Sequence, residues 1–303
     1  MNLDVASRGL RFGSSYLLRT ALRLPRPPLV GGIALTDTCN LRCRHCSVGR
    51  NDFPEMSFAE VRRALERLRA MGIPVLYIEG GEPFMWRDGE RGLEDVVALA
   101  RQLGFLYTIV YTNGTFPLST GADAVFVSLD GLGATHDALR GHTYDLILNN
   151  ILASRHPRIL INYTINRRNE ADIEEFSYQL PKIANVRGTF FYFYTPDGRQ
   201  PQTDSELNLE LPERRRVVER IIALKRAGRR ILNSSAGLRL AVGEGWKKPE
   251  SLGYLFAEGR LYECCRHVGK PAICEVCGYL GFAELHLLAR LDPGAIVSAL
   301  GYL

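Results

Sequence analysis

Cys39, Cys43 and Cys46 lie in the run Thr36-Asp37-Thr38-Cys39-Asn40-Leu41-Arg42-Cys43-Arg44-His45-Cys46, directly after a strand-like stretch from Gly32 to Asp37. Three thiolates in CxxxCxxC spacing on one short loop can each hold one iron of a 4Fe–4S cube, leaving the fourth iron without a protein ligand. That iron keeps a coordination position for a substrate or cofactor, which a four-cysteine site would close. The alternative is a zinc knuckle or three core cysteines. Zinc sites usually pair a CxxC unit with a second pair of ligands, and no such pair lies nearby in the sequence.

The same segment resembles the signature of the radical S-adenosylmethionine (radical SAM) superfamily, and the resemblance extends over about residues 30 to 195. Gly80-Gly81-Glu82-Pro83 follows the strand-like Val75 to Glu79, and Thr112-Asn113-Gly114 follows Leu106 to Tyr111. Val127-Ser128-Leu129-Asp130-Gly131 ends a fourth such run, His136-Asp137 and Arg140-Gly141 come after it, and Asn166 closes a fifth. His45 departs from the pattern, since the family usually has an aromatic residue there. The resemblance implies that Cys39, Cys43 and Cys46 bind a 4Fe–4S cluster whose open iron chelates S-adenosylmethionine. It further implies that Gly80, Gly81, Glu82, Pro83, Thr112, Asn113, Ser128, Asp130 and Asn166 surround that cofactor. Ser128 and Asp130 suit the ribose hydroxyls, and the bare backbone of Gly80 and Gly81 suits close approach to a cationic amine. For Thr112 and Asn113 an ordinary Asn-Gly turn explains the residues equally well. Adenine is expected near Tyr194 and Thr195. The implied reaction is reductive cleavage of S-adenosylmethionine to a 5′-deoxyadenosyl radical, with the electron supplied by a flavodoxin- or ferredoxin-like donor.

The elements that must position these residues alternate along the chain. Strands are expected at 32–37, 75–79, 106–111, 123–129, 158–165 and 188–194, with helices at 57–71, 92–103, 145–154, 170–185 and 212–227. Ser57 with Glu60 forms a capping box for the first of these helices. Alternation of this kind predicts a parallel α/β sheet with right-handed crossovers. A closed eight-unit barrel needs about 250 residues; the segment 32–195 is long enough for six units, so a partial (β/α)6 TIM-type barrel is expected. The predicted domains are a basic amphipathic segment at 1–30, the barrel at 31–196, a linker and helix at 197–255 and a cysteine-rich extension at 256–303. Residues 196 to 213 read as a polar linker. The stretch from Gly278 to Leu303 reads as a helical cap over the barrel mouth.

Cys264, Cys265, Cys274 and Cys277 form a second group, which resembles a shortened SPASM- or twitch-type extension of the same superfamily. It is open between an auxiliary iron–sulfur cluster, a structural zinc site and no metal, with His267 as a substitute ligand. Seven cysteines in 303 residues are too sparse for a disulfide scaffold, and their clustering implies a reducing, cytoplasmic compartment. No apolar run reaches 18 residues, so no spanning helix is expected.

The net charge of +5 is concentrated at the start, where Arg8, Arg11, Arg19, Arg23 and Arg26 face Asp4 alone. The remaining chain lacks the basic body expected of a nucleic-acid binder. On a helical wheel the five arginines share an arc of about 120°, with Leu10, Leu17, Ala21 and Leu24 opposite. That pattern reads as a peripheral membrane contact through residues 8–24, although Phe12 on the basic side also suits packing along the barrel. Two substrate classes follow: a lipid, isoprenoid or other small molecule, or a ribosomal peptide modified with the help of an auxiliary cluster. Gly245-Trp246-Lys247-Lys248-Pro249 and the Cys-x-x-Cys-Gly run at 274–278 resemble hopanoid-modifying members of the superfamily. A non-catalytic iron–sulfur protein is the third reading. No cobalamin-binding segment is evident.

Overall fold

Runs of alternating β-branched and aromatic residues separated by amphipathic helices determine the architecture. The computed structural model describes residues 3–48, 55–179, 182–183, 185–243, 251–265 and 270–302. Its strands are β1 (Val30–Ala34), β2 (Val75–Glu79), β3 (Tyr107–Thr112), β4 (Ala124–Ser128), β5 (Ile159–Ile165), β6 (Val186–Phe193), β7 (Gly253–Ala257) and β8 (Arg260–Glu263). Helix α1 (Leu3–Ala21) precedes β1. The crossovers are α2 (Phe58–Ala70), α3 (Leu93–Leu103), the pair α4 (Gly133–Arg140) and α5 (Tyr144–Ala153), and α6 (Ile173–Gln179). After β6 come α7 (Pro201–Leu207), α8 (Leu211–Arg226) and α9 (Ser235–Ala241), and after β8 come α10 (Pro271–Glu275), α11 (Gly281–Ala289) and α12 (Pro293–Ala299).

One sheet has the order β6-β5-β4-β3-β2-β1-β7-β8. All neighbours are parallel except the β7–β8 hairpin. The six expected strands are therefore present in the expected order, and the sheet curls as a partial barrel. Strands stand about 4.8 Å apart, so a flat sheet would separate β3 from β6 by roughly 14 Å. Instead the hydroxyls of Tyr111 and Tyr192 meet at 3.4 Å across the lumen. Alternation divides the faces: Thr108, Val110 and Thr112 of β3 are buried outward under the helices, while Tyr107, Ile109 and Tyr111 face inward and are half-buried. The helices supply the outer layer, with Val61, Leu65 and Leu68 of α2 packing beside Val96, Val97 and Ala100 of α3. Ser57 and Glu60 make the expected capping box, a contribution of about 1 kcal/mol.

Several expectations need correction. Residues 196–213 are not a plain linker, because α7 forms there with Pro201 in its first turn. The proposed boundary at residue 256 falls inside β7, which pairs with β1. Its hairpin turn, Glu258-Gly259, has both residues at positive φ, the geometry of a tight two-residue turn. The C-terminal helices do not cap the mouth. Tyr302 accepts a hydrogen bond from Tyr107, the first residue of β3, and packs against Phe126 and Phe190, so α11 and α12 lie at the end opposite the cysteine loop. The Gly245 to Pro249 run and His267 lie outside the described residues.

Glu284 ties α11 to α9. Its carboxylate accepts from the Ser234 backbone at 2.7 Å at the start of that helix, and burial pushes its carboxyl from 4.5 up to about 7. A carboxyl raised by folding favours the fold while protonated, and that contribution is lost as pH rises through about 7. Replacing Glu284 by Gln should therefore improve stability relative to the parent by on the order of 2 kcal/mol more at pH 8 than at pH 5. Denaturant titrations at both values measure the difference.

Candidate functional site

The cysteine loop leaves β1 through a turn in which the Thr38 amide donates to the Thr36 hydroxyl at 2.8 Å. The segment after β2 runs directly against it: Gly81 donates to the Thr36 carbonyl at 2.7 Å and Glu82 to that of Thr38 at 2.9 Å. A Cβ on Gly81 would stand 2.2 Å from the Thr38 oxygen, and Gly80, at φ +150°, would place one 2.4 Å from that of Thr36. Glycine is required at both positions because two strand-end loops share this space.

Around that turn the three thiols come together. Cys43 is buried, while Cys39 and Cys46 are half-buried, and each lies within electrostatic range of the others. The Asn113 amide donates to Cys39 Sγ at 3.7 Å and to Asn40 at 2.8 Å, and Arg140 points one guanidinium nitrogen at Cys43 Sγ at 3.8 Å. Arg44 donates its backbone N–H to Leu139, fastening the loop to α4. Burial pushes the Cys43 thiol up to about 11, with Arg140 pulling the other way. Burial likewise raises the Cys39 thiol.

Asp130 is the hub behind these contacts. It is fully buried, one oxygen 2.6 Å from Arg140 Nε and 3.5 Å from His45 Nε2, the other accepting from the Thr164 amide at 2.7 Å. Burial alone would raise its carboxyl, but Arg140 and the other donors outweigh burial and hold it below the usual range. His45 is driven down to about 4 by burial and by Arg140, so it meets Asp130 as a neutral dipole. His136 is lowered to about 4 by the same two causes, in the same order; its Nδ1 accepts from the Asp130 backbone at 3.2 Å.

These contacts reassign several residues expected to surround the cofactor. Asp130 has no surface left for a ribose, so its work is to brace Arg140. Glu82 is equally enclosed, accepting from Thr112, Asn113 and Phe84, and Thr112 is turned to it. Asn166 is fully buried and folds back on the turn after β5, donating to Thr164 and accepting from Arg168. Pro83 is buried at the start of a short helical turn. Ser128 remains half-buried at the end of β4. Tyr194 borders the cavity with its hydroxyl donated to Asp204. The motif containing Arg140 was visible in the sequence, but its pairing with Cys43 across 97 positions was not.

A cavity of about 2210 Å³ runs from this site down the lumen. Cys46, His45 and Gly80 border its upper part, and Tyr77, Tyr111 and Asn162 its middle. His45 Nδ1 and Asn162 Oδ1 are buried there with no partner among the described residues. Orphaned polar atoms on a cavity wall are what a bound ligand satisfies, and with three thiols in electrostatic range on one loop and a glycine turn they fit a cluster and its cofactor. Cys264, Cys265, Cys274 and Cys277 border the same cavity. Cys274 and Cys277 are anchored by Gly278, which donates to Thr195 and accepts from Phe193, and by Arg214, which donates to Val276 and Tyr194; Cys264 donates its backbone N–H to Gly253 of β7. Among the described residues no three His, Cys, Asp or Glu side chains converge closely enough to hold a single metal ion.

A partial parallel barrel with a three-cysteine loop and a glycine turn at its strand ends defines a class of iron–sulfur protein. Residues 33–177 match the radical SAM superfamily, so this part of the chain is a radical SAM domain, of a superfamily whose cofactors are a 4Fe–4S cluster and S-adenosylmethionine. It is 34% identical over 174 residues to pre-heme d1 synthase of Dinoroseobacter shibae, covering 52% of this chain and 41% of that one. It is 30% identical over 203 residues to Fe-coproporphyrin III synthase of Methanosarcina barkeri, covering 62% and 49%. The chain thus spans about half the length of the curated relatives it matches. The fold resembles Streptococcus suis SuiB bound to the precursor peptide SuiA, with a TM-score of 0.64 at 15% identity over 95% of this chain and 71% of that one.

Replacing Asp130 by Ala strands the buried Arg140 charge. The expected cost is about 3–5 kcal/mol, read by denaturant unfolding of the protein before cluster loading; a role confined to ribose binding would leave that stability unchanged.

Proposed function

We propose that the protein is a radical SAM enzyme that cleaves S-adenosylmethionine and modifies an unactivated carbon of an apolar small molecule of the lipid or isoprenoid class. The observation that carries this reading is the junction of the cysteine loop with the lumen. A ligand pocket usually measures about 300–1,000 Å³; this cavity exceeds that range and is walled chiefly by aromatic and aliphatic side chains. When bound, the cluster and S-adenosylmethionine supply a 5′-deoxyadenosyl radical able to abstract hydrogen from such a carbon.

The chain's own residues prepare the site. Cys39, Cys43 and Cys46 hold the cluster, and the positive charge of Arg140 favours the Cys43 thiolate over the thiol. Asn113 orients Cys39. The Gly80–Gly81 backbone and Ser128 receive S-adenosylmethionine. The orphaned Nδ1 of His45 and Oδ1 of Asn162 offer polar contacts in an otherwise apolar enclosure, which excludes water from reactive species. Cys264, Cys265, Cys274 and Cys277 border the same space and would be the ligands of an auxiliary iron–sulfur cluster there. Electrons come from a flavodoxin- or ferredoxin-like donor.

A peptide substrate is the second reading, favoured by the placement of those four cysteines on the cavity wall and by the likeness of fold to the peptide-bound SuiB. Comparing lipid and water-soluble extracts of cells carrying the intact protein or Cys43→Ala separates the two by the fraction in which a mass changes.

After anaerobic reconstitution and reduction, the protein should release 5′-deoxyadenosine, and Cys43→Ala should release none. Full release by that variant, or none by the parent, overturns the enzyme reading. Iron analysis should give about eight per chain for two cubes and about four if the tail cysteines hold none.

A further inference from the structure

Helix α1 packs against the protein by an unusual side. Tyr16 is buried, its ring 5.8 Å from that of Phe12 and 5.6 Å from the Arg26 guanidinium, and Arg26 in turn donates to the Ala289 carbonyl at the end of α11. The leucines are left outside: Leu10 is 75% exposed, Leu18 60% and Leu22 58%. The other chain end repeats this, with Val297 68% and Leu300 60% exposed on and just after α12. Both helices stand at the barrel end opposite the cysteines, where Tyr302 meets the start of β3. Leu10 and Leu17 of α1, with Leu291 and Ile296 beside and in α12, are exposed and also border the cavity. The lumen therefore reaches the surface between these two apolar edges.

Charge selects what covers this end. Arg11, Arg19 and Arg23 are exposed among the leucines of α1 and its exit, and the first thirty residues contain a single acid, Asp4. Exposed leucines with Arg11 between Leu18 and Leu22 on the helical wheel, and Arg19 and Arg23 at the helix's flank and exit, suit an interface between an anionic headgroup layer and acyl chains. No described helix is long and apolar enough to cross a membrane, so such contact lies along the surface. We infer that the lower rim, formed by α1 and α12, docks on an anionic lipid bilayer, and that an apolar chain passes from the bilayer into the lumen between them. β3, six residues long, spans about 20 Å, the distance such a chain would travel to reach the cysteine end. The entry route rests on the lipid reading above; the docking surface does not.

The test uses sedimentation of the full chain with vesicles of phosphatidylcholine alone or mixed with phosphatidylglycerol. Binding to the mixed vesicles should be at least tenfold tighter than to phosphatidylcholine, and should weaken as salt rises. Leu18→Asp with Leu22→Asp should reduce it at least tenfold, and Arg11→Ala with Arg23→Ala by about 30-fold, as each basic residue near an anionic leaflet contributes its attraction. All four positions are exposed, and an unchanged melting temperature verifies folding. Equal binding to both vesicle types, no binding, or binding indifferent to these substitutions overturns the docking surface. So does a parent dimer that becomes monomeric in Leu18→Asp/Leu22→Asp, which would make the rim a contact between copies. For the entry route, cis-parinaric acid should fluoresce on binding the intact protein and lose at least half that signal with Ile296→Trp; an unchanged signal overturns it. Release of 5′-deoxyadenosine, measured on the same samples, keeps the two proposals apart. Vesicle binding without release defeats the enzyme reading alone, and release without vesicle binding defeats the docking surface alone.

Discussion

The site is organised around one desolvated ion pair. Asp130 and Arg140 have been taken almost completely out of water, which is costly unless every remaining hydrogen-bonding position is filled. The protein fills them with groups from separate elements: the Thr164 amide from β5, His45 from the cysteine loop and, beyond the guanidinium, Cys43 itself. The pair thereby sets the distance between the end of β4, the start of the next strand's exit turn and the loop carrying the thiols. Glu82 repeats the arrangement on the other side, gathering donors from Thr112, Asn113 and Phe84. Two buried carboxylates thus fix a loop that has no regular structure of its own.

The curl of the sheet follows from the same economy of polar groups. Tyr77, Tyr111 and Tyr192 project large rings into the lumen, and Tyr111 stacks on its register neighbour Phe126 at 4.8 Å. Their rings fill much of the width, and the hydroxyls of Tyr111 and Tyr192 meet each other. The lumen is consequently apolar in area but carries a few polar points.

Much of this was legible in the sequence because it depends on local periodicity. The six parallel strands, the α2 capping box and the two-glycine turn all announce themselves within a dozen residues. The hairpin β7–β8 did not, because Glu258-Gly259 is not one of the usual Asn-Gly or Asp-Gly turns and its partner β1 is more than 200 positions away. Helix α4 was hidden by its glycine start and short length. What the side chains of Asp130, Glu82 and Asn166 face is not legible in the sequence, for a different reason. Residue type and strand-end position say that a group is near the ligand, but only its neighbours decide whether it faces the ligand or holds the residue that does. The C-terminal helices, expected over the mouth, lie at the other end, since an apolar helix fits either end of a barrel.

The pairing of β7 with β1 joins the two cysteine groups mechanically. Cys264 follows β8, β8 is laddered to β7, and β7 is laddered to the strand that leads into Cys39. A rigid object seated at one group would restrain the thermal motion of the other through two rows of hydrogen bonds. Stiffness introduced at either end of this sheet edge would be felt at the other.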